Sequence, residues 1–130
     1  MKVLLDTQSW LWLQVTPERL NKPALAMVND PAVELLLSAA SAWEIAIKFA
    51  LGKLTLPVAP AEYVPDRMRS SGTAALPITH SHALRVAQLP PHHRDPFDRL
   101  LIAQAQLDNL TILTSDTVFE RYDVVVRQAQ

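Results

Sequence analysis

Four carboxylates in this 130-residue chain stand where a fold can fix them. Asp6 closes the apolar run Lys2-Val3-Leu4-Leu5, Glu44 lies near the start of a helical stretch, Asp98 falls in the first turn of another, and Asp116 follows the run Leu110-Thr111-Ile112-Leu113-Thr114. Strands alternate with helices along the chain. Right-handed crossovers then place every strand's carboxyl end on one rim of a parallel sheet, and the four acids map to that rim. Carboxylates converging without fixed cationic partners repel one another and hold protons more tightly, a cost that a structural role does not explain. A hard divalent cation relieves it. Mg²⁺ and Mn²⁺ take oxygen ligands and keep several waters, so one or two ions fit these acids together with a substrate phosphate. The chemistry open to such a site is phosphodiester hydrolysis, with the metal polarising phosphate oxygens and lowering the pKa of an attacking water.

The elements that must position these groups are legible in turn. Lys2 to Asp6 suits a strand buried on both faces, its acid at the carboxyl end where open α/β sheets bind ligands. Thr7 to Leu13 reads as a short helix whose Trp10 and Trp12 are expected to pack a core or an interface, and Leu20 to Val28 has helical spacing up to the turn signal Asn29-Asp30-Pro31. Glu34 to Ser38 is a second strand. Ser41, with Glu44 three residues on, forms a capping-box pattern opening a helix that Gly52 ends; Glu44 could equally complete that box or pair with Lys48 at i+4. Leu54 to Pro60 is a connector, Ala61 to Ser71 a helix, and Ala75 to Ile78 an edge strand admitting Pro77. Thr79 to Gln88 is expected as a helix with Leu84 and Ala87 inward and with His80 and His82 on the surface, pointing to different sides. In His92 to Gln106, Asp95 is the expected N-cap, Pro96 the first helical residue and Asp98 the first-turn acid, ahead of an almost wholly apolar helix. Both acids could serve only as caps. Val118 to Tyr122 forms a helical turn and Val124 to Val126 a last, edge strand.

Composition narrows the class. The length suits one domain over residues 1–130, burying roughly two thirds of the surface its unfolded chain exposes. A net charge of −1 argues against a broad electrostatic grip on nucleic acid, so such contact must be local. With no cysteine there is no disulfide framework and no thiolate metal site. No membrane span and no signal peptide are expected, which points to a cytoplasmic location.

Four spaced patterns then carry a resemblance. Leu4-Leu5-Asp6-Thr7, Ser41-Ala42-Trp43-Glu44-Ile45-Ala46-Ile47-Lys48 with Leu51-Gly52-Lys53-Leu54, Arg94-Asp95-Pro96-Phe97-Asp98-Arg99-Leu100-Leu101-Ile102-Ala103, and Leu113-Thr114-Ser115-Asp116 together resemble PIN-domain proteins, most closely toxins of the VapC type. The resemblance runs end to end. It implies an α/β fold of three layers, α/β/α, around a mostly parallel sheet of about five short strands, and a Mg²⁺- or Mn²⁺-dependent endoribonuclease neutralised by a small antitoxin and usually dimeric. Asp6, Glu44 and Asp98 match the family's three central acids and Asp116 its more variable fourth, as catalytic and metal-binding residues. Asp95 belongs to the helix-starting motif of one branch, while Thr7 and Ser115 are supporting candidates for orienting a carboxylate or a water. One departure is Gln8-Ser9, where relatives often carry His-Ala, at the edge of the site.

Two other readings stand beside this one. An aspartyl-nucleophile phosphoryl-transfer enzyme generally wants a second acid two residues after the first, and position 8 is Gln. A non-catalytic module could capture a partner helix in a groove lined by Trp10, Trp12 and Trp43, but it has no need of rim acids.

Overall fold

The computed structural model describes residues 1–130. Five strands, β1 (Lys2–Leu5), β2 (Glu34–Ser38), β3 (Thr73–Leu76), β4 (Thr111–Thr114) and β5 (Val125–Gln128), form one sheet in the order β3-β2-β1-β4-β5, every pair parallel. The helices are α1 (Thr7–Val15), α2 (Lys22–Asn29), α3 (Ala39–Ala50), α4 (Pro60–Ser71), α5 (His80–Arg85) and α6 (Pro96–Asp108), with 3-10 turns at Pro17–Arg19, Val86–Gln88 and Thr117–Arg121.

Period-two alternation divides the core between the two faces of the sheet. Val3, Leu5, Leu35, Leu37 and Leu113 pack with Trp10, Leu20, Ile45, Tyr63 and Val64, whereas Leu4, Leu36 and Ile112 pack with Leu101, Ile102, Ala105, Phe119 and Tyr122. Helices therefore cover both faces. Each fully buried aliphatic side chain here contributes about 1.5–3 kcal/mol.

The chain reverses its direction of travel across the sheet at β1. From β1 it steps to β2 and β3, then returns past β1 to place β4 on the other side, so β1 and β4 are neighbours that lead outward to opposite edges. In open parallel sheets that crevice, beyond the carboxyl ends, is where ligands bind. Asp6 follows β1 there, and Ser115 and Asp116 follow β4.

Several local expectations are corrected. Helix α3 begins at Ala39 with Ser38 as its N-cap, accepting from the Ala40 N–H, so Ser41 is already inside the first turn and Glu44 lies one turn further on. There is no capping box between them. Leu84 in α5 and Ala87 in the 3-10 turn after it face solvent, Leu84 at 73% exposure, while His82 is buried; its ring completes a capping box with Thr79 and reaches Asp108 on α6. A polar partner decided that rotation. Strand β3 ends at Leu76, before Pro77, and β5 runs Val125–Gln128 rather than Val124 to Val126. Leu107 lies 44% exposed, so the last turn of α6 is apolar on fewer sides than expected.

Candidate active site

Asp6, Thr7, Glu44, Asp95, Asp98, Ser115 and Asp116 all line one cleft of about 330 Å³, together with Lys48 and Lys53. Every residue expected from the sequence is thus brought to one place. They come from the β1–α1 junction, mid-α3, the start of α6 and the segment after β4.

Asp6 does double duty. Its Oδ1 accepts from the Ser9 N–H at 2.9 Å, capping α1, and its Oδ2 accepts from the Thr114 hydroxyl at 2.5 Å. Thr114 Oγ1 in turn accepts from the Asp116 N–H at 3.0 Å, which ties the two acid-bearing segments together across the β1–β4 seam. Burial pushes the Asp6 carboxyl above its usual range, against the lowering pull of its Ser9 and Thr114 hydrogen bonds.

Glu44 is buried and held from two sides. The Thr7 hydroxyl donates to its Oε1 at 2.6 Å, and Lys48 Nζ meets its Oε2 at 2.5 Å. Of the two local readings open for Glu44, pairing with Lys48 is the one realised, and that bond holds the Lys48 ammonium above its ordinary pKa. Thr7 thus bonds a neighbouring carboxylate. Ser115 lines the cleft, but the hydroxyl bonded to the acids is its neighbour Thr114.

At the start of α6, Asp95 Oδ1 accepts from the N–H groups of Phe97 and Asp98 at 2.8 and 3.2 Å, a working N-cap with Pro96 in the first turn. Asp98 makes no such cap. Its pKa is pushed up to about 8, first by burial and then by the charges of Asp95, Asp6, Glu44 and Asp116. Burial is the larger cause, and the repulsion of clustered acids adds to it.

Sequence reasoning missed His93. Its Nε2 lies 3.0 Å from Asp116 Oδ2, in hydrogen-bond geometry, and 3.0 Å from Asp98 Oδ2. These three side chains could hold a metal ion by their spacing. Arg99 was missed as well: its guanidinium donates to the carbonyls of Val86, Leu89, Pro90 and His93, shaping the loop before α6. No local pattern pointed to this role, because Arg99 serves carbonyls that lie upstream.

The three tryptophans do not share a groove. Trp10 is fully buried with its indole N–H toward Thr73, Trp12 is buried under Arg19, and Trp43 alone is on the surface, at 59% exposure, edge-to-face with Phe97 at 5.2 Å. A groove lined by all three tryptophans is therefore not formed.

An all-oxygen set of carboxylates in a water-accessible cleft, two of them with pKa values raised first by burial, matches the ligand preference of a hard divalent cation. The comparisons agree with this architecture. The chain belongs to the PIN domain family, whose pattern matches residues 3–125. Ribonuclease VapC16 of Mycobacterium tuberculosis is 58% identical to it over 57 residues, a segment covering 44% of this chain and 40% of that protein's length. Among solved structures, VapBC2 from Rickettsia felis, crystallised with a DNA fragment from its promoter, superposes with a TM-score of 0.71 at 14% identity, covering 100% of both chains. FitAcB from Neisseria gonorrhoeae does so with a TM-score of 0.61 at 24% identity over 95% of each. At those identities the likeness is one of fold.

Proposed function

We propose that this chain is a metal-dependent endoribonuclease of the VapC type, the toxin of a toxin–antitoxin pair, acting as one domain over residues 1–130. The observation that carries the reading is the convergence of Asp6, Glu44, Asp98 and Asp116 from four separate segments into the switch-point cleft of a PIN-family sheet. Identity with a named ribonuclease over part of the chain supports RNA as the substrate. Structural neighbours solved as VapBC and FitAB complexes support a small antitoxin as the partner.

In this reading Asp6, Glu44 and Asp98 are the central ligands of Mg²⁺ or Mn²⁺, with Asp116 completing the acidic set. The metal, when bound, polarises a phosphate oxygen and makes an attacking water more acidic. The chain's own groups do the rest. Thr7 fixes the Glu44 carboxylate, Thr114 fixes Asp6, and Asp95 rigidifies the turn that carries Asp98. Lys48 and Lys53, at the same cleft, supply positive charge for the flanking backbone phosphates of a substrate that the overall charge of −1 does not attract. The protein acts in the cytoplasm as a homodimer. No helix is long and apolar enough to cross a membrane.

The test is cleavage of a pool of structured and unstructured RNAs with chelator, Mg²⁺ or Mn²⁺. Cutting should require metal, and Asp6→Asn, Glu44→Gln and Asp98→Asn should each lower it at least about 100-fold at unchanged fold, with Asp116→Asn milder. Metal-independent cutting, or no cutting of any RNA, would sink the reading. Sedimentation as a monomer at micromolar concentration would remove the dimer.

A further inference from the structure

We infer that His93 is a positioning residue of this site, an Nε2–H donor that holds the Asp116 carboxylate beside that of Asp98, and not itself a metal ligand. The inference rests on the metal-site reading above and adds a residue to it.

The ring is held on every side. Its Nδ1 accepts from the Asp95 N–H at 3.2 Å, its face meets the edge of Phe119 at a centroid distance of 5.8 Å, its backbone N–H donates to the Tyr122 hydroxyl at 2.7 Å, and its carbonyl accepts from Arg99 at 3.2 Å. These contacts settle the tautomer. A nitrogen that accepts from a backbone N–H carries no proton, so the ring's proton is on Nε2, which meets Asp116 Oδ2 in hydrogen-bond geometry at 3.0 Å and lies 3.0 Å from Asp98 Oδ2. A metal would need that nitrogen's lone pair. To free it the proton must move to Nδ1, which would turn a donor against the Asp95 N–H, the same residue whose carboxylate caps α6. The spacing of His93, Asp98 and Asp116 that would suit an ion is therefore explained by the hydrogen bond from His93 to Asp116, with Asp98 Oδ2 beside it.

The consequence is preorganisation. Asp98 and Asp116 stand on different segments, and the Asp116 charge is among those that oppose ionisation of Asp98. An N–H beside both Oδ2 atoms offsets that repulsion and turns the Asp116 carboxylate toward Asp98 before any cation arrives. Outer-shell donors of this kind typically alter metal affinity 10–100-fold.

Two measurements test it on the full-length protein. Long-range ¹H–¹⁵N correlation of the imidazoles, with the His93 signals assigned by their loss in His93→Gln, should show the Nε2–H tautomer in chelator and again in saturating Mg²⁺. A shift to an Nε2 stripped of its proton on adding Mg²⁺ makes His93 a ligand and overturns the inference. Thermal melts in a Mg²⁺ series then read affinity without RNA. His93→Ala should weaken Mg²⁺ binding about 10-fold, and His93→Gln, which keeps an N–H near the Nε2 position, should recover most of it. In an Asp116→Asn background the Ala substitution should cost less than about 3-fold, because the shared partner is already changed. A His93→Ala variant that melts lower yet binds Mg²⁺ as tightly as the parent overturns the inference alone. A parent with no metal-induced gain overturns the metal-site reading and this inference together.

Discussion

At the scale of single residues, Asp98 is the most informative group, because its folded-state pKa of about 8 makes two consequences computable in sign. The folded chain holds this proton better than the unfolded chain, where the value is near 3.8. The group's contribution to stability is therefore fully present at acid pH and is lost as pH rises through about 8. In chelator the parent should lose melting temperature, relative to Asp98→Asn, between about pH 5 and pH 8, since the amide has no charge to acquire. A parent and variant whose melting curves run parallel across that range would refute the assignment of Asp98 as a buried, repelled acid. Metal turns the sign. A cation competes with the proton for this carboxyl, so apparent Mg²⁺ affinity should climb with pH up to about 8 in the parent, and the climb should be much shallower in Asp98→Asn, read from melts in a metal series. Thr7 belongs to the same scale: Thr7→Val removes the hydroxyl bonded to Glu44 Oε1 and leaves Lys48 as the only group orienting that carboxylate. Cleavage should fall about 10-fold, with stability changed by about 1–2 kcal/mol. Unchanged cleavage would show that Lys48 suffices.

Among the elements, α6 and the loop before it decide how well the site is held. Arg99 bridges four carbonyls of residues Val86, Leu89, Pro90 and His93. A planar fork matches that arrangement and a point charge does not. Arg99→Ala should cost about 2–4 kcal/mol in urea denaturation by leaving those carbonyls unsatisfied, and Arg99→Lys should recover less than half of it; full recovery by Lys would show that charge, not geometry, matters. The same region shows what a sequence can and cannot disclose. Asp95, Pro96 and Asp98 were legible because helix-start chemistry is local, and β1, β2 and β4 because an apolar run ending in a polar residue states its own burial. Helix α3 was placed three residues late because Ser38 and Ser41 are both good caps, and only the exit direction of β2 selects between them. His82 was read outward because its satisfying partner, Asp108, lies 26 residues on; Leu84 went inward in that reading as the apolar default, and tertiary pairing reversed both. His93 was invisible for the same reason. Its role depends on a loop conformation that Arg99 and Tyr122 impose from elsewhere.

For the whole molecule, the decisive feature is that no single segment contains the site. Asp6, Glu44, Asp98 and Asp116 are far apart in sequence and meet only when β1 and β4 pair and α3 and α6 dock over the rim. An unfolded chain offers isolated carboxylates, each a poor ligand. A cation that binds this cleft should therefore bind the folded state almost exclusively, raising stability by about 2.7 kcal/mol at a hundredfold excess over its dissociation constant. The gain should also be global. The amides of Leu4, Leu5, Ile112 and Leu113 sit in the two central strands, fully buried, and exchange with solvent only when the sheet opens as a whole. Saturating Mn²⁺ is unsuitable for reading them by NMR because it is paramagnetic, so Mg²⁺ or mass spectrometry is used. These amides should slow together by about 100-fold, the factor equivalent to 2.7 kcal/mol. Amides of edge strand β5, whose exposed Val125 and Arg127 allow local fraying, should change little. In Asp6→Asn the central slowing should largely disappear while the pattern without metal stays native. Slowing confined to the first turn of α6, with β1 and β4 unaffected, would mean that the cation is held by one segment, and the shared-rim architecture would then not be the origin of the site.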